Sequence, residues 1–586
     1  MNNLLITQKN VHIFNGNYKR MKKILRSKKR IQKNNVFLVC ALSSLAACNN
    51  DSKKILGLAG NAASEGIEKL FEVSPVVSSN YIISTTNPES SKGDGTNSLP
   101  IEVSGAVIAS PIISGYPLLD LTFTAPGTID FTNISDVKNL SVSNSTAAVA
   151  LSNLPNDIEK IFIKDAQSGD WNISYFPNSF ATLFLEWTNN TGTPVDLTSL
   201  SINEVGQFLL KTTGNENITI PTLNLDPDDT QRIEIGNDND GSIIIGEAAN
   251  ITGTQGLKTI SLKTFNDGDI TLGVPGTSSL PDLQNISSIT LIASQNGNIS
   301  LGDLGTNTSI NKISNISLTT EGGSLSMGSI KAKQIENLSV FGKEFSTISI
   351  GNIEIEEKIQ NFTISGDANI SLGKFSGNGT VMLDATNMNK SGLNLDFTGL
   401  KGDIDLSTTS HDDTILLGDN AGKVVSGAGN DIITLPTNVT GNADIRSGDG
   451  VDIITLANAK GIDMINVGGT NINLIDKSAQ SHTAIISDKI INFDPISDKI
   501  GIGSITATSN NFLAETGATN FGDALSKSNL AMASGKQYYF SYNVASAAEG
   551  FGLLFYDNDN NGSSDIVLTL TGITTNVISH ENLIIV

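Results

Sequence analysis

Residues Ile270–Gly302 read ITLGVPGTSSLPDLQNISSITLIASQNGNISLG, and this segment begins and ends with nearly the same four residues. In ITLG and ISLG, apolar side chains alternate with a hydroxyl side chain before a glycine closes the phrase. Alternation with period two puts the apolar side chains on one face of a β-strand and Ser or Thr on the other. A second alternating stretch, SSITLIAS, lies between the two phrases. The segment therefore predicts two short strands and two turns before the pattern starts again.

The same phrase recurs through the middle of the chain. It ends at Gly246, Gly273, Gly302, Gly328, Gly351, Gly373, Asp396 and Gly418, in steps of 27, 29, 26, 23, 22, 23 and 22 residues. This is the length of one coil of a parallel β-solenoid, which buries its apolar row only by stacking on its neighbours. We therefore expect an all-β fold with a parallel β-solenoid over residues 229–407. A β-sandwich of hairpins is the alternative, although less regular phrasing would be expected for it.

The regions on either side of these repeats differ from them. Residues 101–228 hold both tryptophans, Trp171 and Trp187, and many of the other aromatic residues. They predict a β-rich region with larger core side chains, either as a distinct domain or as irregular early coils. The remaining predicted boundaries are 48–100 for a linker, 408–470 for a glycine- and aspartate-rich segment, and 471–586 for a C-terminal β domain that caps the solenoid.

Composition limits the classes of function. The chain has 586 residues, 55 glycines, only 5% aromatic residues and a formal charge of −22. Residues 1–48 carry ten Lys or Arg and no Asp or Glu, which leaves 27 basic against 59 acidic residues, a charge of −32, in the remainder. Such a charge repels nucleic acid and attracts cations, although solubility alone would also explain it. Both cysteines, Cys40 and Cys48, lie near the N-terminus, so no disulfide framework or thiolate site is expected beyond them.

The N-terminus predicts export. A basic stretch from Met21 precedes the apolar run Val36–Ala47, whose twelve residues are too few to span about 30 Å of hydrocarbon as a helix. This pattern predicts a signal peptide over residues 1–47, with 1–20 an upstream extension if translation starts at Met21. The end of the run, LAAC, resembles a bacterial lipobox, which implies a lipid on Cys48 and anchoring in the outer membrane or at the cell surface. An ordinary signal peptide with a chance cysteine is the alternative.

Two copies of a glycine-rich acidic loop follow the repeats, SGAGNDIIT and SGDGVDIIT. Glycine allows backbone angles closed to other residues, so each loop can turn its carbonyls inward, and the aspartate in sixth place adds a carboxylate. Two stacked loops then surround a space lined with oxygens, which suits Ca²⁺ and links folding to the ion. Solenoid turns without an ion are the alternative. One to three sites are expected, with candidate ligands Ser426, Gly427, Gly429, Asp431, Ser447, Gly448, Asp449, Gly450 and Asp452, and Asp413 in a degenerate earlier copy, TTSHDDTIL.

A second cluster of oxygen side chains lies near the C-terminus, in DNDNNGSSD. Asp557, Asp559 and Asn561 occupy alternate places, and Asp565 follows, which resembles the first half of an EF-hand loop. The Glu expected in twelfth place is absent, because that position holds Leu568. These residues are weaker candidate calcium ligands, and a surface turn explains them equally well.

The C-terminal part of the chain supports a family resemblance. The two loops, the segment ISDKIINFDPISDKIGIG after them and the final segment GFGLLFYDNDNNGSSDIVLTLTGITTNVISHENLIIV resemble alphaproteobacterial RTX-type surface-layer (S-layer) proteins and the C-terminal regions of type I secretion substrates, over roughly residues 230–586. The resemblance implies an RTX β-roll over 408–470, bound Ca²⁺, and a secreted protein that assembles into a two-dimensional coat. The N-terminal signal departs from that family, whose export signal is C-terminal, so the secretion route stays open.

The sequence contains few of the residues and motifs that enzymes use for catalysis. Beyond the signal region there are three widely separated histidines, His411, His482 and His580, two arginines, and no HExxH or GxSxG motif. We therefore expect a structural surface protein without enzymatic activity that self-associates into a lattice and is anchored through Cys48. A surface polysaccharide is a further candidate partner. A calcium-dependent adhesin or glycan-binding lipoprotein is the alternative, and a polysaccharide lyase or epimerase is less favoured.

Overall fold

The computed structural model describes residues 81–83 and 90–585 except for short internal segments. The segments left out are 105–106, 145–147, 165–168, 178–180, 189–193, 214, 239, 247–250, 277–278, 281–282, 284–285, 306–308, 421, 438–440, 458–460, 469, 472–486 and 545–549. The predicted signal peptide and Cys48 lie outside the described residues.

The chain forms a parallel β-solenoid of about 17 turns, as the repeats predict. One long sheet of 24 strands follows the whole solenoid, and three shorter sheets of seven, eight and ten strands complete the coils. Every pairing between described strands is parallel except for three near the C-terminus. Parallel pairing follows from the stacking, because the chain passes the same edge in the same direction once per coil.

The strands group by sheet. The long sheet contains Tyr81–Ile83, Ser98–Val103, Leu118–Phe123, Asn139–Asn144, Lys160–Lys164, Ala181–Thr188, Val205–Thr212, Arg232–Asn237, Thr259–Thr264, Ser279–Leu280, Ser288–Ala293, Asp303–Leu304, Ile310–Thr320, Ile330–Gly342, Ile353–Gly366, Phe375–Gly377, Thr380–Met388, Gly399–Leu400, Ile404–Ser407, Gly422–Val425, Ala443–Gly448, Met464–Val467, Lys499–Gly501 and Leu583–Ile584. The first short sheet contains Val107–Ala109, Gly127–Asp130, Val149–Leu154, Asp170–Tyr175, Ser199–Asn203, Leu223–Asn224 and Ile251–Thr252. The second contains Val195–Asp196, Ile218–Ile220, Ile243–Ile245, Ile270–Leu272, Ile299–Leu301, Ser324–Met327, Thr347–Ile350 and Asn369–Leu372. The third contains Asn394–Asp396, Thr414–Leu416, Ile432–Thr434, Ile453–Thr455, Thr470–Asn471, Lys489–Ile491, Phe512–Thr516, Tyr538–Tyr542, Phe551–Tyr556 and Ile566–Thr571. Ser90–Lys92 pairs with Ile112–Ser114, an α-helix spans Phe521–Ala533, and 3-10 helices span Phe131–Asn133, Thr254–Gly256 and His580–Asn582.

The repeat phrases stack in register in the second short sheet. Residues that pair in succession there are Ile243, Ile270, Ile299, Leu325, Ile348 and Ile370. Within one phrase, Ile270 and Leu272 are buried while Thr271 between them is partly exposed. The core is therefore a column of aliphatic side chains, each of which contributes about 1.5–3 kcal/mol when fully buried.

The early part of the chain follows the same path. Val205–Thr212 pairs in parallel with Arg232–Asn237 across the predicted boundary at residue 228. Tyr81–Ile83, which lies within the residues that the sequence assigns to a linker, already pairs with the end of Ser98–Val103. Trp171 and Trp187 face each other in the interior, with ring centroids 5.8 Å apart and at most 1% exposed. Large aromatic side chains therefore fill part of the interior of these coils. Ile and Leu predominate later in the chain, where Phe362, Phe375 and Phe397 also stack in the interior.

The stacking of coils ends at the C-terminus with a change of strand direction. Ile566–Thr571 pairs in parallel with Lys489–Ile491 but antiparallel with Phe551–Tyr556, which in turn pairs antiparallel with Tyr538–Tyr542. The helix Phe521–Ala533 packs on the last two of these strands and was not expected from the sequence. It begins with Asn520, whose side chain accepts a hydrogen bond from Asp523 N. A second apolar cluster under the helix includes Phe521, Met532, Tyr539, Leu553 and Phe555.

Candidate metal centre

The two glycine-rich loops stack on each other at one edge of the solenoid. Asp449 N donates a hydrogen bond to Gly427 O (3.1 Å), and Gly429 N donates to Asp449 O (2.9 Å). The φ angles of all four loop glycines are positive, at 103° for Gly427, 120° for Gly429, 85° for Gly448 and 140° for Gly450. A Cβ built on Gly448 would lie 1.7 Å from Gly427 O. Glycine is therefore required both for the backbone conformation and for the close stacking of the loops.

The sixth-place aspartates form a buried row along the solenoid axis. We call Asp413, Asp431, Asp452 and Asp488 the aspartate row, and each is at most 1% exposed. Asp413 N donates to Asp431 Oδ1 (2.8 Å), Asp431 N donates to Asp452 Oδ1 (2.9 Å), and Asp452 N donates to Asp488 Oδ1 (3.1 Å). Each carboxylate thus bonds to the backbone of the preceding coil, and the row holds one carboxylate per coil.

One oxygen of each glycine-loop aspartate is left without a partner. Asp431 Oδ2 and Asp452 Oδ2 are buried and have no hydrogen-bond partner among the described residues. The cations closest in sequence, Lys423 and Arg446, pair with aspartates outside the row. An unpartnered buried polar group costs about 1–3 kcal/mol, and more when it is charged. A bound cation would supply the missing partner.

The raised pKa values of two aspartates in the row also favour a bound cation. Burial is the main reason that the pKa of Asp431 and the pKa of Asp452 are both raised to about 6. The nearby hydroxyls of Ser426 and Ser447 act in the opposite direction, while the neighbouring carboxylates of the row add to the rise in pKa. Parallel strands lie about 4.7–4.9 Å apart, so ionised members of the row repel each other unless a counter-ion lies between them.

Asp413 belongs to the row, but its carboxylate is already occupied. Leu393 N donates to Asp413 Oδ1 at 2.5 Å, Thr409 Oγ1 donates to the same oxygen at 3.2 Å, and Thr409 N donates to Oδ2 at 3.1 Å. Thr409 stands in the second place of the degenerate loop, where the two good copies have glycine. The degenerate copy therefore satisfies its aspartate with its own threonine.

The other predicted loop ligands divide into two groups. The carbonyl oxygens of Ser426 and Ser447 lie within the stacked loops, where Thr408 Oγ1 donates to Ser426 O (2.8 Å) and Ser426 Oγ donates to Ser447 O (2.9 Å). Ser447 Oγ is buried without a partner among the described residues. The side chain of Asp449, by contrast, is exposed and does not join the row. Asp449 therefore contributes to the edge through its backbone.

The C-terminal loop brings its carboxylates together. Asp557, Asp559 and Asp565 place carboxylate oxygens within 4.8 Å of one another. These carboxylates also accept backbone hydrogen bonds. Asn561 N donates to both Asp557 and Asp559, and the N–H groups of Asn558 and Asp559 donate to Asp565. The side chain of Asn561 accepts from a backbone N–H as well. This loop is therefore ordered by its own hydrogen bonds, as a surface turn would be.

Three groups of acidic residues are absent from the sequence-based prediction. Asp488 extends the aspartate row, while Asp463 and Asp498 form a second row in which Ala443 N donates to Asp463 and Asp463 N donates to Asp498. The signal for these was the pentapeptide ISDKI, which occurs twice, with Asp488 and Asp498 in equivalent places. The third group is Glu204, Asp226 and Asp229, which only the stacking of coils brings within 4.8 Å.

The described residues contain no helix that is both long and apolar enough to cross a membrane. Comparison with known proteins found no matching protein family, no similar curated protein and no similar solved structure.

Proposed function

We propose that this chain is a structural cell-surface protein whose solenoid is stabilised by Ca²⁺ along the glycine and aspartate edge. The observation that carries the proposal is the pair of buried, unpartnered oxygens Asp431 Oδ2 and Asp452 Oδ2 on consecutive coils. They lie beside two stacked glycine loops, and they belong to a row of like charges. A divalent ion between them would give both oxygens a partner and would also neutralise the repulsion between the carboxylates.

Ca²⁺ is the ion whose preferences this edge meets. It takes about 6–8 oxygen ligands in flexible geometry, and carboxylates, backbone carbonyls and water all serve. Zn²⁺ prefers thiolate and imidazole ligands, while Mg²⁺ demands near-ideal octahedral geometry and gives up its water reluctantly. Two carboxylates and the carbonyls of curled glycine loops suit the larger and more tolerant ion.

The cellular role rests on the sequence. The predicted signal peptide and the LAAC at Cys48 would place the protein in the outer membrane or at the cell surface, and the acidic charge, which repels nucleic acid, is consistent with such a location. The resemblance to RTX-type S-layer proteins supports self-association into a coat. A parallel solenoid suits such a structural role, because it presents long regular faces to neighbouring copies.

A second candidate function is adhesion to a surface polysaccharide. It is favoured by a row of hydroxyl side chains on the outward face of the long sheet, one per coil. The row consists of Thr290, Ser317, Ser339 and Thr363, which pair in succession and are partly or fully exposed. Hydroxyls that both donate and accept hydrogen bonds, spaced about 4.7–4.9 Å apart, suit a polymer that carries many hydroxyls.

The test of the calcium proposal is to titrate the full chain with Ca²⁺ and to remove the ion with EDTA. At a free Ca²⁺ concentration one hundred times the dissociation constant, one bound ion raises the free energy of unfolding by about 2.7 kcal/mol. Chemical denaturation followed by circular dichroism measures that gain, and Asp431→Asn combined with Asp452→Asn should remove it. Asp405→Asn, at an exposed carboxylate of the long sheet, is the control. Equal stability with Ca²⁺ and with EDTA would refute the proposal.

Electron microscopy tests the coat. Cells that carry the protein should show a regular surface lattice that EDTA disperses. Isolated copies that bind purified surface polysaccharide, without a lattice, would favour adhesion instead. Cys48→Ser should release the protein from the membrane fraction if the lipid anchors it.

A further inference from the structure

The aspartates that are placed to bind calcium lie one coil nearer the C-terminus than those that the sequence pattern predicts. We propose that Asp488, and not Asp413, completes the calcium row, so that one ion binds between Asp431 and Asp452 and a second binds between Asp452 and Asp488. This inference rests on the proposed calcium function, and it changes both the ligand set and the place where the ions act.

The N-terminal end of the row is closed to an ion by hydrogen bonds. Both oxygens of Asp413 accept from Thr409 or Leu393, so an ion between Asp413 and Asp431 would have to displace these donors. The threonine in the glycine position thus removes the carboxylate that the sequence pattern offers as a ligand.

The C-terminal end of the row has the features of the site between the two glycine loops. Asp488 is 1% exposed, and its Oδ1 accepts from Asp452 N at 3.1 Å, in the arrangement by which Asp452 accepts from Asp431. Asp452 Oδ2 has no partner among the described residues. The side chains of Asp452 and Asp488 therefore lie next to each other in one buried, negatively charged region.

The position of Asp488 gives this second ion a structural role. Asp488 O accepts a hydrogen bond from Thr569 N (3.0 Å), and Ser487 shares a hydroxyl contact of 2.7 Å with Thr569. Thr569 belongs to Ile566–Thr571, the strand at which the pairing changes from parallel to antiparallel. An ion between Asp452 and Asp488 would thus join the last glycine-loop coil to the C-terminal cap.

The second row supplies a matched control. Asp498 is 3% exposed and occupies the equivalent place in ISDKI, but both of its carboxylate oxygens accept backbone hydrogen bonds, Oδ1 from Asp463 N at 3.1 Å and Oδ2 from Asp494 N at 2.8 Å. Asp498→Asn therefore removes a buried row carboxylate of the same kind without removing a proposed ligand.

Isothermal titration of the full chain with CaCl₂ tests the inference through the number of bound ions. Asp488→Asn is expected to bind one ion fewer than the unmodified chain, whereas Asp413→Asn and Asp498→Asn should bind the same number as the unmodified chain. Calcium should also slow proteolysis of the C-terminal cap less in Asp488→Asn than in Asp498→Asn.

The outcomes separate the two proposals. If the unmodified chain binds no Ca²⁺, the proposed function fails and this inference fails with it. If the chain binds Ca²⁺ but Asp488→Asn binds an equal number of ions, or Asp413→Asn binds one fewer, the inference alone is overturned. The asparagine of Asp488→Asn keeps an amide oxygen that can still bind an ion. Asp488→Ala removes that oxygen as well and is measured for this reason. Where the Asp488 variants do not fold, the result for Asp413→Asn still decides, because an ion lost there contradicts the closed site.

Discussion

Gly448→Ala tests the stacked glycine loops without reference to any ion. The new Cβ would meet Gly427 O at 1.7 Å and Gly427 C at 2.8 Å, on a residue whose φ is 85°. The left-handed conformation alone costs a residue with a side chain about 1–2 kcal/mol, and forced overpacking adds about 1–3 kcal/mol. We therefore expect the variant to lose about 2–5 kcal/mol of unfolding free energy.

Gly535→Ala is the matched control for this prediction. Gly535 has a φ of 93°, and a Cβ built there meets nothing within 4 Å, so only the conformational cost of about 1–2 kcal/mol applies. Urea denaturation followed by far-UV circular dichroism, with EDTA present throughout, measures both variants under the same conditions. If Gly448→Ala and Gly535→Ala lose equal stability, the loops do not stack as closely as described, and the argument for the edge is refuted.

Three further predictions concern the core, the cap and pH. Ile316→Ala, at a fully buried position of the long sheet, should cost about 2–5 kcal/mol, while Ser317→Ala on the outward face should stay within about 0.5 kcal/mol; equal losses would contradict the assigned faces. Asn520→Ala removes the side chain that accepts from Asp523 N and should cost about 1 kcal/mol, measured by thermal unfolding. Burial raises the pKa of Asp498 to about 6 from 3.8, so the folded state binds the proton more tightly and calcium-free stability should rise as the pH falls from 7 to 5. Asp498→Asn should flatten that rise by about 1 kcal/mol; an unchanged slope would exclude Asp498 as its source.

The solenoid could be predicted because its signal is local and repeated. Alternation in ITLG and ISLG fixes which side chains face inward, and the spacing of the phrases fixes which strands stack. The stacking departs from the prediction at the last phrases. Asn369–Leu372 and Asn394–Asp396 belong to different sheets, and Asp396 pairs with Leu416 and not with Gly418. A different turn length in that coil moves the register by two residues, which keeps the same face inward.

The details of the candidate site could be predicted only in part. The glycine loops could be recognised in the sequence because glycine at this spacing is typical of a tight acidic turn. The occupation of Asp413 depends on a single threonine side chain, and the membership of Asp488 depends on which coil stacks next. The third acidic group could not be predicted, because only the stacking of coils brings together the carboxylates of Glu204, Asp226 and Asp229. The helix Phe521–Ala533 was missed because it is the one α-helix among the described residues, in a chain whose composition favours strands.

The unequal length of the coils has a consequence for how such a molecule can evolve. Coils that differ by several residues pair in the same register, because the difference is taken up in the turns and the inward column is unaffected. Whole coils can therefore be duplicated or deleted without redesign of the interior. At about 4.7–4.9 Å per turn, each such event lengthens or shortens the solenoid by a fixed increment, so its length is a heritable dimension that gene duplication can adjust.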